Sequence, residues 1–257
     1  PWNNGFAGLF SLDFSGGRWQ LDLGRVEAAI KPKTRVLFVN TPSNPTGWVA
    51  DRETLAAILS LARARGLWVI ADEIYSLFTY GAARAPSFLD VMEAQDRVIF
   101  VNSFSKNWSM TGWRIGWLRI HPTLQQVFEN LVQYSVSGVP AFLQRGAVEA
   151  LDHGDGFVDE QVQRARAARD IVCDRLLATG RVTLTAPEGA FYAFFSIDGV
   201  IDARKAALEI VDSCGVGLAP GSAFGADGEG SFRLCFHRRL DHIEEAANRL
   251  AGWIRDM

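Results

Sequence analysis

The stretch RVIFVNSFSKNWSMTGWRIGW, residues 97–117, decides how the chain is read. It opens as an apolar, β-branched run with the composition of a buried strand. A polar loop follows at once: Ser103, Ser105 and Lys106 stand at the end of the run, and Arg114 comes eight positions after the lysine. RVLFVN (35–40) and LWVIADE (67–73) are strand-like runs of the same kind. Between them RETLAAILSLARARG (52–66) carries leucine, isoleucine and alanine at helical spacing and stops at a glycine. The three strands end near residues 40, 72 and 103, roughly thirty residues apart. This is the rhythm of βαβ units in a parallel sheet with right-handed crossovers. Ligands of open α/β sheets gather beyond the carboxyl ends of the strands. The polar residues after all three strands are therefore expected to share one crevice.

Downstream the pattern is helical through PTLQQVFENLVQYS (122–135), PAFLQRGAVEALDH (140–153) and FVDEQVQRARAARDIVCDRLLA (157–178). It then turns α+β. Strands are expected at VTLTAP (182–187), AFYAFFSI (190–197), VGLAP (216–220) and SFRLCF (231–236), with helices at 202–214 and 241–254. The change places a domain boundary near residue 155. Residues 1–155 read as a large ligand-binding domain and 156–257 as a smaller α+β domain.

The 257 residues are 48% hydrophobic with a formal net charge of −3, enough for a sizeable core. So mild an acidic balance leaves no electrostatic footprint for nucleic acid or an anionic membrane. The apolar runs are too short to span a bilayer. No signal peptide is visible, and the sequence opens at Pro1 without an initiator Met, so it need not begin where the gene does. Three cysteines, Cys173, Cys214 and Cys235, are too few for a disulfide scaffold. Cys235 and His237 stand two apart in a strand-like run, where core packing is expected rather than a metal. Reduced thiols and a cytoplasmic setting follow as the expectation.

Taken singly, each polar feature at the strand ends has a dull explanation. Asn44 lies in SNPTG, which reads as a turn; Asp72 and Tyr75 lie in DEIY, which reads as a strand terminus with a helix cap; Arg114 reads as a surface cation. Jointly they bring a carboxylate, a phenol, an amide, a primary amine, hydroxyls and a guanidinium to one crevice. The amine can form a Schiff base with an aldehyde. The carboxylate can pair with a protonated ring nitrogen, and the phenol and amide can hydrogen-bond a ring oxygen. Serines and an arginine can hold a phosphate. Pyridoxal 5′-phosphate carries all of these groups.

SFSKNWSMTGWRIG (103–116) resembles the lysine attachment signature of class I/II aminotransferases, in the fold-type I pyridoxal-phosphate family. The resemblance extends to SNPTG (43–47), ADEIY (71–75), PEGAFYAF (187–194), LAPGSAFG (218–225) and FRLCF (232–236), in the family's order. It implies a three-layer, mainly parallel α/β large domain with a smaller α+β C-terminal domain. It also implies Lys106 as the Schiff-base lysine and Ser103, Ser105 and Arg114 around the cofactor phosphate. Asp72 would meet the pyridine nitrogen, with Tyr75 and Asn44 on the ring's 3-oxygen. Arg233 would grip the substrate α-carboxylate beside Asn44. The activity implied is ping-pong transfer of an amino group from an amino acid to a 2-oxo acid by a homodimer, with Lys106 moving the Cα proton. Family chains are longer at the N-terminus, where they supply a glycine-containing helix start for the phosphate and an aromatic residue stacked on the ring. Nothing before Asn40 resembles these, so the large domain reads as N-terminally incomplete.

Three rival readings remain beside this one. Carbon–sulfur β-lyases use the same scaffold, and release of pyruvate and ammonia without an oxo-acid acceptor would mark them. Aminotransferase-like effector domains of transcription regulators keep the lysine without turnover, and a basic winged-helix segment upstream would mark those. A nicotinamide-binding domain fails, because no G-x-G-x-x-G follows the first strand and GVGLAPG lacks its spacing.

Overall fold

The computed structural model describes residues 12–257. A parallel sheet carries the first lobe: β3 (Val36–Asn40), β4 (Trp68–Asp72) and β5 (Val98–Ser103) run side by side in sequence order, and β6 (Gly116–Arg119) closes the row antiparallel to β5. The register sets Asn40 beside Asp72 and Asp72 beside Val101. The three strand ends therefore lie level, as the sequence rhythm implies.

The helix α2 (Arg52–Arg65) shows why the first crossover is helical. Asp51 caps it by accepting from the Thr54 N–H at 2.7 Å, which holds the Asp51 carboxyl below its usual range. Leu55, Ile58, Leu59 and Ala62 recur at helical spacing and are buried with Leu37, Val39 and Val69 of the sheet. Gly66 ends the helix in the left-handed region at φ 65°.

The second crossover contains no α-helix. Residues 73–97 form a loop with one 3₁₀ turn at Phe88–Asp90. Its organiser is the buried Glu73, whose carboxylate accepts from Ser87 Oγ (2.8 and 2.9 Å) and from the Phe88 N–H (3.0 Å). Phe88, fully buried, supplies to the core the apolar surface that a helix would have supplied.

Three elements lie outside the sequence expectations. A hairpin, β1 (Asp13–Ser15) and β2 (Arg18–Gln20), turns through Gly16 and Gly17, both at positive φ, the geometry a two-residue hairpin turn demands. A short helix, α1 (Leu23–Ala29), is capped by Asp22. The strand β6 escapes a periodicity reading because all four of its residues are exposed. Beyond it α4 (Gln125–Ser135) has no buried residue, and α5 (Ala141–His153) buries only Ala147.

The second lobe is α6 (Asp155–Leu177), β7 (Val182–Leu184), β8 (Tyr192–Ile197), α7 (Ala203–Cys214), β9 (Ala219–Pro220), β10 (Ser231–Cys235) and α8 (Leu240–Asp256). Its sheet runs β7-β8-β10-β9, every pair antiparallel. Strand alternation sends Phe195, Ile197, Phe232 and Leu234 into a core with Val172, Leu176, Leu250 and Ile254 from α6 and α8. The other face carries Tyr192 and Phe194 of β8 and, in register with Phe194, Arg233 of β10. Tyr75 and Phe78, which follow β4, pack into this same core and join the lobes.

Candidate active site

The crevice lies between the level strand ends of the first sheet and the Arg233 face of the second. On the first lobe the SNPTG turn is fixed from both sides. Asn40 Oδ1 accepts from the Asn44 N–H at 2.7 Å, and Gly47 O accepts from the N–H groups of Glu188 and Gly189 at 3.0 and 2.9 Å. Gly47 stands at φ +70°, and a Cβ there would meet Pro187 Cβ at 2.2 Å. The PEG of residues 187–189 is thus the clamp of the NPTG turn, a pairing that neither motif discloses alone.

Asp72 ends β4 with its carboxylate half-buried. It accepts only from the Ile74 N–H, at 3.4 Å, and among the described residues no ion pair reaches it. Burial pushes its pKa above the usual carboxylate range, opposed by that one N–H. Tyr75 is fully buried one helical step on, and its hydroxyl lies 3.0 Å from that of Tyr192. Burial raises the pKa of both phenols; at Tyr75 the Asp72 carboxylate adds to that rise and the Arg233 guanidinium opposes it.

Lys106 sits in the single turn α3 (Phe104–Asn107), which continues β5 without a loop. Ser103 Oγ caps that turn by accepting from the Ser105 N–H at 3.1 Å. Phe104 is buried with its ring 5.0 Å from both Trp108 and Trp117, so these tryptophans pack the junction. Asn107 Nδ2 donates to Ser76 Oγ at 3.5 Å, tying the lysine turn to the residue after Tyr75. Among the described residues the Lys106 ammonium has neither an ion pair nor a hydrogen bond. Gly116 lies opposite Ser103, and a Cβ on it would stand 2.5 Å from Asn102 O, so the return strand needs glycine. Arg114, two residues earlier, is exposed and donates to Thr111 O within its own loop at 3.0 Å. The sequence-derived phosphate set is thus close along the chain, but among the described residues Arg114 makes no hydrogen bond to Ser103 or Ser105.

Across the crevice Arg233 Nη1 donates to Asn44 Oδ1 at 2.9 Å. The guanidinium lies over two rings, 4.4 Å from the Tyr192 ring centroid and 4.7 Å from that of Phe224. Its Nε is buried without a partner. A hydrogen-bond donor left so is costly unless an anion completes it. Tyr192 and Phe224 were not singled out by sequence reasoning. The alternation of β8 against the arginine strand could have found Tyr192, because every second residue of AFYAFFSI shares the arginine's face.

Among the described residues no three His, Cys, Asp or Glu side chains gather together, at Cys235 and His237 or elsewhere. His237 stacks on Phe191 at 4.9 Å, its Nε2 lies 3.1 Å from Gln161 Oε1, and burial pushes its pKa down to about 4.

With this geometry in view, comparison with known proteins is decisive about family. The sequence profile of "Aminotransferase class I and II" matches residues 11–250. The chain is 34% identical over 241 residues to a Thermotoga maritima aspartate aminotransferase, covering 94% of this chain and 62% of that protein. It is equally identical, over 238 residues, to a Desulforudis audaxviator LL-diaminopimelate aminotransferase, covering 93% and 60% respectively. The crystal structure of the Thermotoga aspartate aminotransferase superposes with a TM-score of 0.83 over 90% of this chain and 60% of its own. That of a Mycobacterium tuberculosis N-succinyldiaminopimelate aminotransferase gives 0.87 at 30% identity, covering 94% and 64%. The chain belongs to the class I and II aminotransferase family and has its α/β fold. It spans about three fifths of the length of these relatives.

Proposed function

We propose that the protein is a pyridoxal-phosphate-dependent aminotransferase that moves an amino group from an amino acid to a 2-oxo acid. The observation that carries this reading is Arg233: a guanidinium over two aromatic rings, bonded to Asn44 and with its buried Nε unpartnered, across the crevice from a lysine and a carboxylate that have no ion pair among the described residues. These residues fit the cofactor chemically. Among the described residues the Asp72 carboxylate has no cation, the Lys106 amine no anion, and Arg233 Nε no acceptor. Pyridoxal phosphate, when bound, supplies the sink for the electrons of the bond broken at Cα.

Each residue then has a definite task. Asp72 would hold a proton on the ring nitrogen. Tyr75 and Asn44 would donate toward the ring oxygen, and Ser103, Ser105 and Arg114 would hold the phosphate. Lys106 Nζ would anchor the aldehyde carbon and, once freed by the substrate amine, take the proton from Cα and return it. Arg233, with Asn44, would hold the α-carboxylate and so orient the Cα–H bond. The relatives named above are aminotransferases, which favours transamination over β-elimination.

The test is an absorbance spectrum with pyridoxal phosphate before and after borohydride, followed by an assay with and without a 2-oxo acid. A visible band that borohydride fixes onto Lys106, with turnover that requires the oxo acid, is the expected result. Pyruvate and ammonia released without an acceptor would replace transamination by elimination; no fixed adduct would end the reading.

The same proposal includes a domain boundary near residue 155, supported by α6, which starts at Asp155 and packs into the second core. A cytoplasmic setting is supported by three free cysteines. No helix among the described residues is long and apolar enough to cross a membrane. It further includes a homodimer. Tyr134, Val136 and Phe142, 89%, 65% and 71% exposed, make an apolar surface around the end of α4 and the start of α5 that a second copy would cover. Sedimentation equilibrium should give twice the monomer mass, falling to the monomer in Tyr134→Glu/Phe142→Glu. A double mutant that stays dimeric would place the interface elsewhere.

A further inference from the structure

We propose that Tyr192 is a positioning residue with two separable tasks: its ring face orients the Arg233 guanidinium, and its hydroxyl hands a hydrogen bond to Tyr75. The inference rests on the functional reading above and gives a task to a residue of PEGAFYAF (187–194) that had none.

Tyr192 opens β8, opposite Cys235 in the β8–β10 register, so it lies one pleat along from the Phe194–Arg233 pair on the same face. The guanidinium carbon lies over its ring, 4.4 Å from the centroid, and over the Phe224 ring at 4.7 Å. Two aromatic rings this close to the guanidinium restrict how its plane can tilt. One of the two Nη1 hydrogens is already spent on Asn44 Oδ1 at 2.9 Å. What remains is an edge ending in the buried, unpartnered Nε. A two-pronged grip on a carboxylate requires a guanidinium fixed in its plane, and stacking is what fixes it. The carboxylate is thus expected to meet the Nε side of Arg233 rather than the Nη1 side.

The second task follows from counting protons. The hydroxyls of Tyr192 and Tyr75 are 3.0 Å apart and both rings are buried, 7% and 1% exposed. Each phenol has one proton to give. If Tyr75 directs its proton outward to a ligand oxygen, its own oxygen must accept from Tyr192. The bond then has one direction only, and a hydroxyl that accepts in this way becomes a better donor. The titratable and charged groups that act on this pair are Arg233 on both phenols, Asp72 on Tyr75, and Cys235 and Arg238 on Tyr192. Burial keeps both phenols protonated at neutral pH.

Two variants separate the tasks. Tyr192→Phe keeps the ring and loses the hydroxyl; Tyr192→Leu loses both. The protein loaded with pyridoxal phosphate is titrated by its visible band, and propionate binding is read from the change in that band. In Tyr192→Phe the titration midpoint should rise by about half a pH unit, the size expected from one hydrogen bond. The direction is upward because a weaker Tyr75 donor leaves more negative charge on the ring oxygen, and the chromophore then holds its proton harder. Propionate affinity should stay within about twofold of the parent, because the stacked ring is retained. In Tyr192→Leu propionate should bind about tenfold more weakly, as the loss of a desolvated cation–π contact requires.

An unmoved midpoint in Tyr192→Phe overturns the hydroxyl task, and if Tyr192→Leu does not fold, that result alone decides against the proposal. Unchanged propionate affinity in Tyr192→Leu, or an equal loss in Tyr192→Phe, overturns the stacking task. A parent protein that shows no cofactor band overturns the functional reading itself, and this assignment with it.

Discussion

Lys106→Ala is expected to lower transamination by more than ~10³-fold and to leave no cofactor attached after borohydride reduction, because one side chain serves as both anchor and proton carrier. The loss should be chemical rather than conformational. The turn that holds Lys106 is fixed by other residues: Ser103 caps it, and Phe104 is buried beneath Trp108 and Trp117. The ammonium itself makes no hydrogen bond or ion pair among the described residues, so its removal leaves no buried partner unsatisfied. Circular dichroism and melting temperature should therefore match the parent. Lys106→Arg should fare little better, since a guanidinium keeps the charge but neither attaches to an aldehyde nor gives up its proton. Turnover within about tenfold of the parent in either variant would remove Lys106 from the mechanism.

The parts of this site that a sequence shows are those set by local periodicity. Runs of β-branched residues ending near 40, 72 and 103 place Asn44, Asp72 and Lys106 on one edge, and the registers Asn40–Asp72 and Asp72–Val101 agree with that placement. Elements too short or too exposed to have a period stayed hidden. The Gly16–Gly17 hairpin has three-residue strands, and β6 exposes all of its residues. The crossover after β4 is a loop because a buried Glu73 accepts from Ser87 and Phe88, a contact across fourteen and fifteen residues that no windowed pattern reports. The most distant contacts are the least legible. Asn44 meets Arg233 across 189 residues and Tyr75 meets Tyr192 across 117, so which face of the second sheet closes the crevice is decided by how the two lobes pack. Family resemblance supplied Arg233; it did not supply the ring that holds it.

Asp72→Asn should slow transamination at least ~100-fold while the cofactor still attaches to Lys106. The position should survive the change. Asp72 O accepts from Thr41 N at 3.1 Å and Asn40 Nδ2 at 3.3 Å, so the strand end is held by its backbone and an amide fits where the carboxylate was. What changes is charge. Burial, the larger influence, raises the Asp72 pKa, and the Ile74 N–H only partly opposes it. A carboxyl whose folded pKa is raised contributes stability that is fully present below the ordinary carboxylate value and lost as pH rises through the raised one. At neutral pH the buried, unpaired charge therefore opposes folding of the cofactor-free protein. Asn removes that opposition, so the cofactor-free variant should melt at the same temperature as the parent or higher at pH 7, with the difference shrinking on acidification. Adding pyridoxal phosphate should reverse the order, because only the carboxylate gains a cationic partner. Scanning calorimetry of both proteins, with and without cofactor at two pH values, measures each of these differences. Turnover like the parent's, or an equal rise in melting temperature on cofactor addition, would mean that Asp72 does not hold the ring nitrogen.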